Sequence, residues 1–390
     1  MRIGITLKSY DPAWGGPGTY TEKIVNHLLA IDRDNEYVLV VPRRTSTAEL
    51  PRFAEAYPNV HEVRTALRAG LLWDQVVVPN IAKQWRFDIL FSPFQSLPAL
   101  GDFRKVMTIH GAERYAVPWI MDWKARTKWW IIEKFVMKSA DALISVSKTM
   151  TRDFCKATNY PADRIYTIHL GVDDNFSPIE DATLLEQARR RYALPESFIL
   201  FVGHLFPNKN FGNLLRAFQM IRMKIPHRLV VVGGRRWKYR DDLTLIESLG
   251  LAERVQILGF VPRPDLVLLY NLAACFVFPS WYESFGLAQL EAMACGCPVI
   301  ASDTGALPEV AGDAAMFCHP DDPKSIGEAI LKMLGCERLR QAYVEKGLAR
   351  AKAFTWKHCA EETLEALRAT VGRARRDVAS EPGRESVARP

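Results

Sequence analysis

The sequence predicts an α/β protein made of two doubly wound parallel-sheet domains that face each other across a cleft. Three observations carry this expectation. Short β-branched runs alternate with longer amphipathic stretches along the chain, the pattern of parallel strands joined by crossover helices. The series of strands stops once and restarts. Between the two series lies Asp173-Asp174-Asn175-Phe176-Ser177-Pro178, polar and closed by proline as a linker should be.

The first series reads Ile3 to Leu7, Tyr37 to Val41, Ile89 to Phe91, Val106 to Ile109, Ala142 to Val146 and Ile165 to Ile168. The second reads Phe198 to Val202, Leu229 to Val232, Val255 to Leu258, Phe276 to Phe278 and Val299 to Ala301. These predict a Rossmann-like domain over residues 1–178, a second over 179–353 and a closing helix over 354–372. Residues 373–390 are Arg, Ser, Glu, Gly and Pro with almost no large apolar side chain, which predicts a disordered tail. Paired α/β domains bind ligands between the carboxyl ends of their strands, so each motif is weighed by whether it sits there.

A length of 390 residues, 48% hydrophobic and 24% charged, suits two domains that each bury a core. The net charge of +7 favours anionic partners, whether nucleotide diphosphates, nucleic acid or a membrane face. The seven cysteines are scattered without a Cys-x-x-Cys pair, so neither a disulfide framework nor a zinc site is expected. Cys295 and Cys297, across Gly296, read as packing residues where a helix stops before a strand. The chain opens on a strand and contains no run near the ~20 apolar residues of a membrane span. That predicts a cytoplasmic protein, with peripheral contact on the cytoplasmic face of a membrane left open.

The strongest local signal is Glu283-Ser284-Phe285-Gly286-Leu287-Ala288-Gln289-Leu290-Glu291, which follows an apolar strand and opens a helix running to Ala294. A helix beginning near Ser284 would leave the amides of Phe285, Gly286 and Leu287 facing the cleft, where the helix dipole favours an anion. Gly286 allows a ligand close to the backbone. The eight-residue separation of Glu283 and Glu291 spans about 12 Å along a helix, which suits a ligand with hydroxyls at both ends and phosphates between.

These residues resemble the Glu-x7-Glu motif of glycosyltransferase family 4. Ala292-Met293-Ala294-Cys295-Gly296-Cys297-Pro298-Val299-Ile300-Ala301-Ser302 continues that family's pattern, as does Gly305 with Pro308-Glu309, and the resemblance covers most of the chain. It implies the GT-B arrangement of two Rossmann-like domains, with the closing helix packed back on the first. It implies retaining transfer of a hexose from a nucleoside-diphosphate sugar to a hydroxyl, by front-face attack in which the departing phosphate helps deprotonate the acceptor. Glu283 then holds hydroxyls of the donor sugar, Glu291 the ribose hydroxyls, and the amides of Phe285, Gly286 and Leu287 the sugar and phosphate oxygens. The base would meet backbone around Gly259-Phe260-Val261.

Gly203-His204-Leu205-Phe206-Pro207-Asn208-Lys209-Asn210 follows the first strand of the second domain and resembles the family's phosphate segment. Lys209 offers an ammonium to the diphosphate as the sugar leaves. The family usually carries an arginine here, and this chain has His204 and Asn208 in those places. The Lys-Asn form is similar to mannosyltransferases that use GDP-mannose, which makes that donor one expectation.

In the first domain, Gly15-Gly16-Pro17-Gly18-Thr19 follows the opening strand and precedes a helix. The spacing is not the full dinucleotide fingerprint, and strand two ends in Val41-Pro42-Arg43-Arg44 without a ribose-binding acid, which disfavours a nicotinamide oxidoreductase. The resemblance implies a lid over the donor phosphate, with Gly16 closest. His110 ends a strand at the cleft and matches the family's histidine on the transferred sugar. Asp32-Arg33-Asp34 lies at the sheet's amino edge and reads as a turn, so neither metal nor other cofactor is expected. The partners expected are a nucleotide-sugar donor and a glycan or lipid-linked acceptor, with no nucleic acid. A catalytically silent scaffold of the same fold stays open as an alternative.

The segment 114–138 interleaves Trp119, Trp123, Trp129 and Trp130 with Arg114, Lys124, Arg126, Lys128, Lys134 and Lys138. Aromatic rings suit the headgroup boundary, and each basic residue near an anionic surface contributes about 1 kcal/mol. It reads equally as a membrane-docking segment or, through Ile131, Ile132, Phe135 and Val136, as an ordinary packed helix.

Overall fold

The computed structural model describes residues 1–10, 15–43, 51–120, 127, 137–234 and 239–373. Two parallel sheets organise them. The first contains β1 (Arg2–Thr6), β2 (Glu36–Val41), β3 (Val60–Arg64), β4 (Ile89–Ser92), β5 (Arg104–Ile109), β6 (Ala142–Ser145) and β7 (Ile165–Thr167), in the order β3-β2-β1-β4-β5-β6-β7. The second contains β8 (Phe198–Val202), β9 (Arg228–Val232), β10 (Val255–Gly259), β11 (Cys275–Phe278), β12 (Val299–Ser302) and β13 (Ala315–Cys318), in the order β10-β9-β8-β11-β12-β13.

The central strands are apolar on both faces because helices cover both, as parallel sheets require. Ile3, Ile5, Leu90 and Phe91 in one sheet, and Leu200, Phe201, Val277 and Phe278 in the other, are almost wholly buried. Gly4 in β1 is a packing glycine, since a Cβ there would lie 2.0 Å from the Phe87 ring. Helix starts follow ordinary capping chemistry. Ser147, Asp181, Asp322 and Thr355 each accept a backbone N–H in the first turn of the helix that follows.

Each sheet reverses its winding direction once, between β1 and β4 in the first and between β8 and β11 in the second. Crevices open at such switch points, outside the carboxyl ends of the strands. The loops that leave those strands carry nearly every motif singled out above.

The helix Trp356–Gly372 packs along the helix Gly16–Ile31 of the first sheet. Trp356 meets Tyr20 with ring centroids 6.1 Å apart. The crossing is pinned where Val172 N–H donates to Phe354 O at 3.0 Å. Gly171 is obligatory there, because a Cβ would lie 2.1 Å from the Trp356 nitrogen. The buried cluster of the first sheet continues through Phe285, Phe354 and Trp356 to the inner face of the second.

Two strands of the structure, β3 and β13, are absent from the sequence reading. Both are edge strands. β3 is Val-His-Glu-Val-Arg, half-solvated and without an apolar run, whereas β13 is Ala-Met-Phe-Cys, apolar but without the β-branched residues that mark the central strands. Asp32 caps the helix Gly16–Ile31 and accepts hydrogen bonds from Asn35 and Tyr37, which accounts for it as a turn residue. Of the aromatic and basic segment 114–138, residues 121–126 and 128–136 lie outside the described residues, as do 374–390 of the tail. Among the described residues no helix is long and apolar enough to cross a membrane.

Candidate active site

The candidate site is assembled at the two switch points. After β11, the loop Pro279–Gly286 leads into the helix Leu287–Ala294. Gly286 caps that helix at φ 94°, a left-handed conformation that favours glycine. A Cβ there would also lie 2.5 Å from Leu307 Cδ2. The helix therefore starts three residues later than a start at Ser284. The left-handed turn at Gly286 cannot be helical, and Gln289 N–H is taken by Gly286 O at 3.1 Å. The amides at the helix opening are those of Leu287 and Ala288, which retain the orphan-donor character of an N-terminus.

Glu283 precedes this helix, so no helical rise separates it from Glu291. Its carboxylate pairs with Lys209, Nζ to Oε1 at 2.6 Å, and both side chains are largely shielded from solvent. The Lys209 ammonium also lies 4.9 Å from the centre of the Phe278 ring. Lys209 closes a short 3-10 turn, Pro207–Lys209, after β8. Two asparagines hold that turn in place. Asn208 is buried and its carbonyl accepts Trp281 N–H at 2.8 Å, while Asn210 donates to Pro279 O and Pro320 O at 2.9 and 2.6 Å. With its side chain also donating to Tyr282 O at 3.4 Å, Asn208 joins the β8 and β11 loops.

His204 lies at the seam. Its Nδ1 accepts Gly234 N–H at 3.2 Å, which leaves the ring proton on Nε2. Nε2 faces Gly15, where a Cβ would come within 3.5 Å of it. Gly16 is the first residue of its helix and is exposed, with nothing within 4 Å of a Cβ placed on it. The glycine therefore leaves room beside the helix N-terminus without any internal packing need.

His110 follows β5 and donates from Nε2 to Pro93 O at 2.6 Å. Tyr20 meets its ring edge-on at 4.9 Å. Burial pulls the imidazole down to about 4, so it is neutral at pH 7. The fixed tautomer points Nδ1 away from Pro93 as an acceptor.

Glu291 lies on the inward face of its helix, 6% exposed, and pairs with Arg263 at 3.2 Å. Burial raises its carboxyl above the usual range, with Arg263 opposing. Arg263 is also 3.9 Å from Asp173, which pairs in turn with Lys23 of the first sheet's helix. Val261 is buried and leads into the helix Arg263–Leu272, whereas Phe260 beside it is 75% exposed. The Phe285 ring is turned away from solvent, 5.9 Å from Phe354 and 6.0 Å from His169, so only its backbone is available to a ligand.

Several contacts tie the two sheets together around this centre. Ser147 Oγ donates to Ser284 O at 2.7 Å, and Tyr282 OH donates to Asp153 at 3.1 Å. The Glu309 carboxylate accepts Lys148 N–H and Thr149 N–H at 2.8 and 2.7 Å, at the N-terminus of the helix Lys148–Thr158, and His169 Nε2 at 2.8 Å. These bonds outweigh the penalty of its burial and hold its carboxyl down at about 2.

Sequence reasoning missed three groups placed here. Glu113, Arg263 and the Ser147–Ser284 pair each lie within a few residues of a strand's carboxyl end. Position after a strand was the available signal. Among the described residues no group of three or more His, Cys, Asp or Glu side chains is placed to hold a metal ion.

Comparison with known proteins accounts for this geometry. Residues 186–350 match the model of "Glycosyl transferases group 1" and residues 14–176 that of "Glycosyltransferase Family 4". The chain is 34% identical over 272 residues to the O-antigen chain mannosyltransferase B of Escherichia coli, covering 68% of this chain and 70% of the relative. It is 33% identical over 234 residues to the serotype-specific mannosyltransferase WbdA of Escherichia coli, covering 58% of this chain and only 28% of that much longer relative. Among solved structures, sucrose-phosphate synthase from Thermosynechococcus elongatus superposes with a TM-score of 0.75 at 21% identity, covering 95% of this chain and 98% of that one. Anabaena HepE, solved with UDP and glucose, superposes with a TM-score of 0.74 at 19% identity, covering 94% and 99%. These two likenesses establish the fold, and the sequence matches establish more: the chain belongs to glycosyltransferase family 4, and is a GT-B glycosyltransferase that takes its sugar from a nucleotide-sugar donor.

Proposed function

We propose that this enzyme transfers mannose from GDP-mannose, with retention and without a metal ion, to a hydroxyl of a glycan or lipid-linked acceptor. The observation that carries the reading is the Lys209–Glu283 pair at the second sheet's switch point, beside the helix opening at Leu287. A diphosphate drawn to Lys209 and to the helix amides meets positive potential where its charge grows during departure. Glu283 is then released from Lys209 to accept hydroxyls of the sugar, next to the cationic character that develops at the anomeric carbon. Neutral His110, with Nδ1 as an acceptor, and the room at Gly16 complete the donor side. Glu291, oriented by Arg263, takes the ribose hydroxyls.

Mannose is favoured because relatives at 34% and 33% identity are mannosyltransferases. HepE was solved with UDP and glucose, which makes UDP-glucose the comparison donor. The working domain division at Pro178 and a cytoplasmic site of action belong to the same proposal. Thermal shift with GDP-mannose and UDP-glucose tests the donor, since ligand at a hundred times its dissociation constant adds about 2.7 kcal/mol of stability. NMR of the product's anomeric proton tests retention. Stabilisation by UDP-glucose alone, or an inverted product, would overturn the corresponding part.

A further inference from the structure

We propose that Glu113 is a third carboxylate of the donor-sugar site, supplied by the first sheet, which accepts hydroxyls of the transferred sugar from the side opposite Glu283. The inference rests on the donor-site reading of Glu283 and Lys209 above.

Glu113 begins a short helical turn, Glu113–Ala116, three residues after His110. Its carboxylate reaches across the seam between the sheets. Ser284, the residue after Glu283, donates from Oγ to Glu113 Oε1 at 3.4 Å, and the same Oγ accepts Ala112 N–H at 3.4 Å. The other oxygen folds back over Gly111, where a Cβ would lie 2.1 Å from Oε2. Any side chain at 111 would displace it.

A structural role for the charge would call for a basic partner within ion-pair distance, and among the described residues none is in place. Glu113 is half-buried, with its carboxyl group set against the seam between the sheets. Among the described residues no lysine, arginine or histidine nitrogen comes within 4.0 Å of it. Burial raises its carboxyl above the usual range against the hydrogen bond from its own backbone amide; the nearby charge of Glu283 adds to the rise, while Lys209 and Arg114 oppose it. A half-buried carboxylate held by its own backbone amide and one long hydroxyl contact, with no basic partner, keeps acceptor capacity for a ligand. A sugar suits this carboxylate in chemistry, since a carboxylate accepts from two hydroxyls at once and sugars present them in adjacent pairs. Phosphate is excluded by like charge.

The test compares two ligands that differ only by the sugar. Binding of GDP and GDP-mannose, and of UDP and UDP-glucose, is measured by calorimetry on wild type, Glu113→Gln and Glu113→Ala. The expected result is that both variants bind the bare nucleoside diphosphate as wild type does and bind the nucleotide sugar at least tenfold more weakly. Their melting temperatures should equal or exceed that of wild type, because a half-buried charge without a basic partner is gone. Equal affinity of wild type and both variants for the nucleotide sugar would overturn this inference alone. So would parallel weakening of both ligands, or a fall in melting temperature, either of which marks a structural residue. Wild-type protein that bound none of the four ligands would refute the donor-site reading, and this inference with it.

Discussion

Replacing Glu309 with glutamine should loosen the junction of the two sheets, in a way that depends on pH. The carboxylate faces two N-terminal amides of the helix Lys148–Thr158 and His169 Nε2, and these partners hold it at about 2 against an ordinary 4.5. At about 1.36 kcal/mol per pH unit, that lowering corresponds to roughly 3 kcal/mol in favour of the folded, ionised state. Solvent reaches the edge of the group, and screening reduces the figure to about 2 kcal/mol. A depressed acid contributes stability that is complete above its ordinary value and is lost as pH falls toward its folded value. Glu309→Gln should therefore cost about 2 kcal/mol at pH 7, and less than about half as much at pH 3. Urea midpoints of wild type and variant at the two pH values measure this directly. An equal cost at pH 3 and pH 7, or none at pH 7, would refute the reasoning.

Glu283→Gln should nearly abolish transfer while leaving the melting temperature within a few degrees, because it keeps shape and removes charge; retention of most activity would remove Glu283 from its role. Glu291→Ala should mainly raise the donor KM, read from initial rates, as expected of lost ribose contacts. Activity should survive excess EDTA, and complete loss restored by magnesium or manganese would reject the metal-free site. His110 is held near 4 in the fold against an ordinary 6.5, so its neutral form adds stability that is present above pH 6.5 and lost as pH falls through 4. The pH–rate profile should then show no histidine inflection between pH 6 and 8 from this residue, checked by comparison with His110→Ala. Gly286→Ala should cost a few kcal/mol, since φ 94° and the Leu307 methyl both oppose a side chain, and should weaken donor binding in the same preparation.

What was legible in the sequence was what depends on local pattern. Central strands such as Phe276 to Phe278 announce themselves because both of their faces are buried, and Gly286 because a strand-to-helix turn needs its backbone freedom. The edge strands β3 and β13 did not, because β3 is half-solvated and polar in the middle and β13 has no β-branched residue. Spacing placed Glu283 and Lys209 at strand ends but could not pair them, since their contact depends on how two loops meet. Nor could spacing show that Asn208 joins two loops, or that the Phe285 ring packs against Phe354 and leaves only its backbone for a ligand. Position after a strand could not by itself single out Glu113, whose contact Ser284 comes from the other sheet, or Arg263, whose partner Glu291 is distant in sequence.

The helix Trp356–Gly372 lies on the first sheet, although everything from β8 to β13 is translated before it. Until it is made, the face of the helix Gly16–Ile31 that it covers, including Tyr20, has no partner. The usual vectorial order, in which the amino-terminal unit is finished first, is therefore inverted. The second sheet has all of its strands while the first still waits for its last piece, a contact of very large sequence separation whose loop-closure cost slows the final step. A nascent or truncated chain ending before Trp356 would present that apolar face to chaperones, and its recovery should depend on them more than on the stability of the finished enzyme.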